Sequence, residues 1–200
     1  MKTKQLSSMW SRLRNSVAAL RRDCRGLAAI EFAMIVPVML VLFFGTDEFA
    51  TGVAVNRKVT LMARTLSDLT SQNISVADTQ LTNFYNASAA IMTPYSATPV
   101  KSTITELYVD PSTLAARVQW SKGSVPRTVG TTVVIPTALQ VGGSYLIYSE
   151  VSYAFVPTVG YVLKNSITLS DFTFTRPRQS TCVIYPTPAA GTPLPSCPTS

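Results

Sequence analysis

The sequence predicts an α+β fold in which one long N-terminal helix carries a small antiparallel β-sheet head. Three observations predict it. Residues 27–46, "LAAIEFAMIVPVMLVLFFGT", form the one long apolar run in the chain. Beyond it the pattern stays helical but becomes two-faced. After residue 100 the period changes from helical to alternating, between turn-forming residues.

The apolar run comes first. At a rise of about 1.5 Å per residue, roughly 20 residues cross a hydrocarbon core of about 30 Å. A signal-peptide core is shorter and is followed by a small-residue cleavage site. Here Asp47-Glu48 opens another helical pattern instead. The run therefore reads as a retained transmembrane helix. Pro37 lies inside it as the expected kink, tolerated in a span better than in a soluble helix.

Charge fixes the orientation. The chain has 200 residues, a net charge of +7, 46% hydrophobic residues and only 14% charged ones. A soluble protein usually carries about 25% charged residues. Seven of the 17 basic residues, with one acid, Asp23, fall in residues 1–26. The rest of the chain is nearly neutral. The basicity thus belongs to a leader, and it does not point to nucleic acid. Arg21, Arg22 and Arg25 flank the span on one side, Asp47 and Glu48 on the other. The positive-inside rule places the N-terminus in the cytoplasm and residues 47–200 outside.

From Asp47 to Gln72 the helix continues as an amphipathic extension. Val55, Val59, Met62, Leu66 and Leu69 recur at steps of three and four, with Arg57, Lys58, Arg64 and Asp68 off that stripe. Residues 73–185 form the head. Its first element is a helix opened by Ser75 or Asp78 as N-cap, with Leu81, Phe84, Tyr85, Ala89 and Met92 on one face, ending before Pro94. Two strands follow, joined by an Asp110-Pro111-Ser112 turn, and Leu114, Ala116, Val118 and Trp120 alternate along the second. Residues 122–143 read as a loop with a short helix opened by Pro136. Residues 144–157 are the clearest strand, with Tyr145, Ile147, Val151, Tyr153 and Phe155 on one face and Ser149 interrupting it. The fourth strand, within 167–178, slips in parity at Asp171, which predicts a bulge or a sheet edge. The Pro-rich tail, 186–200, reads as extended and mobile.

The chemistry of sites is sparse. There is no histidine. That removes the commonest general base and the usual zinc ligand sets. Glu106, Asp110, Glu150 and Asp171 lack metal-like spacing, and no phosphate-binding glycine loop appears. Tyr145, Tyr148, Tyr153 and Tyr161 suit packing in a sheet. No cofactor and no enzymatic activity are expected. Cys182 and Cys197 fall outside the membrane in this topology, where a disulfide closing the tail is the simplest reading. It would contribute about 3 kcal/mol in the chain-entropy model. Two free thiols, or pairing between chains, are the alternatives. Cys24 lies in the leader.

One charge stands out of place. Glu31 is the fifth residue after Gly26, inside the span. A carboxylate near the centre of a span costs about 2.5–3.5 kcal/mol, and less near an interface. Glu31 lies one turn from Leu27 and leans toward it. A cut after Gly26 would give Leu27 a free amine, four residues before the carboxylate and at the positive end of the helix dipole.

A basic leader ending in Gly26, an apolar run starting at Leu27 and Glu31 as its fifth residue resemble a prepilin processing site. The string "RGLAAIEFAMIVPVMLVLFFG" resembles the N-terminal module of the TadE/TadG-like proteins, pilin-like components of the tight-adherence (Flp) pilus machinery. The Glu31-Phe32 pair resembles the Glu-Tyr/Phe of Flp-type pilins. "VSYAFVPTVGYV" followed by "FTRPR" resembles the later part of such proteins. The resemblance implies a pilin-like fold, processing at Gly26-Leu27 and subunit matching at Glu31 and Phe32. It also implies three kinds of partner: other pilin helices, a prepilin peptidase and inner-membrane assembly proteins. The expected function is a minor pilin or pseudopilin in the bacterial inner membrane, single-pass, with a periplasmic head. The alternative is an unprocessed anchored adhesin or envelope scaffold.

Overall fold

A computed structural model describes residues 26–157, 166–189 and 191–199. The leader, with Arg21, Arg22, Cys24 and Arg25, lies outside the described residues, and so does Tyr161. The chain divides into two compact units that meet between Asp47 and Glu48.

One helix, α1, runs Leu27–Ser71 without interruption, through Pro37. In the first unit most of its side chains are apolar and exposed, among them Leu27, Ile30, Phe32, Ile35, Val38 and Leu42. Pro37 has no N–H, so the Ala33 carbonyl loses its usual donor. Thr46 returns its hydroxyl to the Leu42 carbonyl at 2.7 Å, which leaves no unpaired donor at the end of the run. By length and composition this half of α1 can cross a membrane.

The second unit holds the rest of α1, a helix α2 (Asp78–Ala89), and five strands: β1 (Val100–Val109), β2 (Ala116–Gly123), β3 (Thr132–Val133), β4 (Tyr145–Phe155) and β5 (Ile167–Thr175). The sheet order is β3-β2-β1-β4-β5, and every pairing is antiparallel. The architecture is α+β, as the periodicities predict. Val55, Val59, Met62 and Leu66 of α1 are buried with Ile104, Trp120, Ile147, Val151, Tyr153 and Phe155 of the sheet. Leu81 and Met92 join this core from the α2 side. Lys58 binds α2's neighbourhood to α1, donating to the carbonyls of Ile91 and Thr93 at 2.8 Å each.

Polar side chains set the helix on the strands. Ser149, the interruption in β4's apolar face, donates to the Ala63 carbonyl. Ser67 donates to the Ile147 carbonyl at 3.3 Å, and Thr60 donates to the Asp171 carboxylate. A side chain at Gly52 would meet the Phe155 ring at 3.8 Å. α1 therefore runs antiparallel to β4 across the sheet.

Several local expectations are corrected. Asp78 is the first residue of α2, not its cap; Ala77 precedes it, and Gln80 accepts from the Ala77 N–H at 2.9 Å. Ala116, Val118 and Trp120 do not share a face. β2 advances two residues, Val118 to Trp120, while β1 advances one, Glu106 to Leu107. This bulge turns Trp120 toward α1 and leaves Val118 in the core of the opposite face, with Leu107, Val109 and Leu146. β5 carries no bulge; it is an edge in continuous register with β4. Its parity slips because Leu169 packs toward α1 while Phe174 packs against Tyr148 on the other side. β3 is a strand that the loop reading omits; it pairs with Ala116 and Arg117. The Asp110 turn is as expected: its carboxylate accepts from the Ser112 N–H at 2.7 Å and the Thr113 N–H at 3.2 Å.

Leu66 lies fully buried at the centre of the α1 stripe, whereas Leu61 is exposed on the same helix. Leu66→Ala should therefore lower the unfolding free energy by about 2–5 kcal/mol. Leu61→Ala should stay within about 0.5 kcal/mol of wild type. Urea unfolding of the full chain in detergent measures both.

Candidate functional site

The residues singled out by sequence at the foot of α1 occupy one helical turn. Gly26 precedes the helix and Leu27 opens it. Glu31 follows four residues later, on the same face as Leu27 and about 6 Å along the axis. Both are exposed, and so is Phe32 on the adjoining face. The first turn of α1 contains no acidic residue. Its free N–H groups and positive dipole end thus face the Glu31 carboxylate from one turn away. An amine on Leu27 would complete an i, i+4 pair there. The arrangement can hold a charge pair and set register. It contains no nucleophile–base pair.

Cys182 and Cys197 form a disulfide, with Cα atoms 5.8 Å apart. The segment around Cys182 does not hang free: Cys182, Val183 and Ile184 are all buried. Ile184 forms a parallel bridge with Ser75, accepting from the Val76 N–H at 2.9 Å and donating to the Ile74 carbonyl at 3.0 Å. Farther on, the Pro198 carbonyl accepts from the Tyr145 hydroxyl at 2.8 Å. The segment at residues 182–184 is thus strapped to the sheet and to the stretch after α1, and Cys197 and Pro198 tie the tail beyond it to the same place.

The strap is fixed by a residue that sequence reading passed over. Glu106 lies in β1, fully buried. One carboxylate oxygen accepts from the Val183 N–H, while the other has no hydrogen-bond partner among the described residues. Trp120 donates its ring N–H to the Val183 carbonyl at 2.7 Å. Burial pushes Glu106 up to about 8, against the opposing pull of the Val183 N–H and Trp120. The available signal was a carboxylate at the inward position of an apolar strand, "ITELYV".

The opposite face of the sheet carries a second polar cluster. Arg127 makes a two-pronged bond to Glu150, at 2.9 and 2.6 Å. Tyr148 donates to the same carboxylate at 2.9 Å and stacks on Phe174 with centroids 4.5 Å apart. Burial, then the neighbouring Glu150, pushes the Tyr148 phenol up to about 12. Glu150 and Asp171 border one cleft on adjoining strands, without Glu106 or Asp110. Among the described residues no three metal-ligating side chains converge.

Residues 26–66 match the model of the TadE-like protein family. The match begins at Gly26 and ends at Leu66, so it takes in the apolar run, Glu31, Phe32 and the buried stripe of α1. This segment is TadE-like, as its motifs suggested. No curated protein and no solved structure matches the chain.

The raised pKa of Glu106 has a signed consequence. The fold favours the neutral acid, so its contribution is complete below about 4.5 and is lost as the pH rises toward about 8. Stability should fall across that window by up to about 1.4 kcal/mol per pH unit. Glu106→Gln, which mimics the neutral acid, should remove that slope in urea titrations run at a series of pH values. An unchanged slope in the variant would show that Glu106 does not carry it.

Proposed function

We propose that this protein is a minor pilin or pseudopilin of the tight-adherence pilus system, with a structural role in assembly and no catalytic one. The observation that carries the reading is the continuity of α1. A single helix begins at Gly26-Leu27 with an exposed apolar half and continues as the central packing element of a folded head. In such a protein the apolar half is stored in the inner membrane and later packs against the helices of neighbouring subunits. The head stays on the periplasmic side, and Arg21, Arg22 and Arg25 hold the leader in the cytoplasm.

In this reading a prepilin peptidase cuts between Gly26 and Leu27. The new amine pairs with Glu31, either of the same chain or of a neighbour, and Phe32 packs beside that contact. In lipid such a pair sets register more than it adds stability. Pro37 gives local freedom to the helix when it repacks. The disulfide and the strap keep the head folded while the helix changes surroundings. Inner-membrane assembly proteins and other pilin-like subunits are the expected partners.

Sequencing the N-terminus of protein extracted from membranes, after co-expression with the cognate peptidase, tests this. A start at Leu27, lost in Gly26→Ala, is the expected result. Met1 retained in the unmodified chain would refute processing and favour a permanent anchor. Glu31→Ala should be cut but should fail to enter pili at normal protein level. Normal pilus incorporation of that variant would refute the matching role.

A further inference from the structure

We propose that a cleft on the sheet face turned away from α1 binds an acidic sugar: Lys101 meets its carboxylate, Arg127, Ser152 and Ser170 its other oxygens, and Phe172 its apolar face. The cleft lies wholly within the head, so the inference stands apart from the pilus reading and goes beyond it.

Strand register builds the floor of the cleft. Lys101 of β1 stands beside Ser152 of β4, and Ser152 beside Ser170 of β5. The next row on the same face is Thr103, Glu150 and Phe172. The two rows lie about 7 Å apart along the strands, and each spans about 10 Å across them. The segment after β2 forms a wall pinned to β1. Ser124 donates its N–H to the Ser102 carbonyl at 2.8 Å, and Val125 donates its N–H to the Thr103 hydroxyl at 3.2 Å. Arg127 then lies over the Tyr148 ring, 5.4 Å from its centroid, and grips Glu150 with two prongs. The cleft holds about 360 Å³, within the roughly 300–1,000 Å³ of small-ligand sites.

Both acids at the cleft are already bonded. Glu150 accepts from Arg127 at both oxygens and from Tyr148 at one. The Asp171 carboxylate accepts from Thr60 of α1, on the other face, and from the Phe172 N–H at 2.8 Å. The groups left over can all donate. Lys101 is exposed, with no carboxylate within ion-pair distance among the described residues. Arg127 spends two of its five N–H groups on Glu150. The Ser152 and Ser170 hydroxyls have no hydrogen-bond partner among the described residues. A ligand that answers this set is anionic and rich in oxygen acceptors. Phe172, 56% exposed and edge-on to the Tyr148 and Phe174 rings, adds an apolar platform. A pyranose carries an apolar C–H face within a rim of oxygens, and a uronate adds the carboxylate. A peptide strand suits the cleft less. It pairs through free backbone groups, and those of β4, between β1 and β5, are bonded on both sides.

Isothermal titration calorimetry of the full chain in nonionic detergent, with trigalacturonate as the probe, tests the site. Trigalacturonate should bind at one site, and galactotriose, its neutral counterpart, about tenfold more weakly or less. Lys101→Gln and Phe172→Ala should each weaken trigalacturonate about tenfold, while Phe172→Tyr keeps the affinity. Lys101 and Phe172 are exposed, so the urea midpoints of these variants should match that of the unmodified chain. Val134→Ala, just after β3 and at a position 95% exposed, should bind as the unmodified chain does. No saturable binding of trigalacturonate at millimolar concentration overturns the proposal. Equal affinity for galactotriose overturns the acidic sugar as the ligand. Equal affinity for triglutamate overturns the sugar and assigns the cleft to acidic peptides. Affinity unmoved in both Lys101→Gln and Phe172→Ala overturns the site. None of these outcomes bears on processing at Gly26 or on the span, so the two readings fail separately.

Discussion

The structure depends on one packing interaction: the stripe Val55, Val59, Met62 and Leu66 of α1 buried against β1, β2 and β4. These side chains lie on consecutive turns of a single helix, so the sheet has one continuous element to pack on. At about 0.8 kcal/mol per buried CH₂, the four of them outweigh any polar contact in the head. Earlier in the same helix, Glu31 is the one charge within an otherwise apolar run. The sequence of one helix is thus written for two solvents. The change of pattern, from an apolar run to a single stripe, falls between Thr46 and Val55.

Other features close around that interface. Ser149 and Ser67 sit in it as polar contacts, and each finds a backbone carbonyl across the helix–sheet boundary. Such bonds add little net energy, but leaving those hydroxyls unmade would cost more, so they select one register of helix on strand. Glu106 acts similarly for the tail. A neutral carboxyl group can hold the Val183 N–H without a full buried charge, and its environment favours that form. The disulfide then ties Cys182, next to Val183, to Cys197. Covalent and polar ties meet at one place on the sheet, beside the C-terminal end of α1.

Much of this was legible in the sequence because it depends on period. The apolar run, the stripe of α1 and the face of β4 are repeats of 3.6 or 2 residues, and each is visible without knowledge of the partner surface. What escaped depends on contacts distant in sequence. The bulge opposite Glu106 and Leu107 reverses the face of Trp120, and alternation alone cannot show a skipped residue. β3 is two residues long, too short to have a period. The parity slip in β5 was seen, but it was open to two readings. It reflects a strand with apolar partners on both faces, α1 on one side and Tyr148 on the other. The strap at residues 182–184 escaped because its anchors are backbone groups and a buried acid of β1. At the foot of α1 the motif gave Gly26, Leu27, Glu31 and Phe32 directly, since they need only helical spacing to come together.

The claim that α1 is both the anchor and the central element of the head is tested most directly by cutting the chain at two places. A fragment of residues 48–200 keeps the buried stripe, and one of residues 73–200 removes it. The account predicts that the first unfolds cooperatively, with a near-ultraviolet circular dichroism signal from packed tyrosine and tryptophan. The second should show no such transition. A cooperative transition of similar midpoint in residues 73–200 would contradict it.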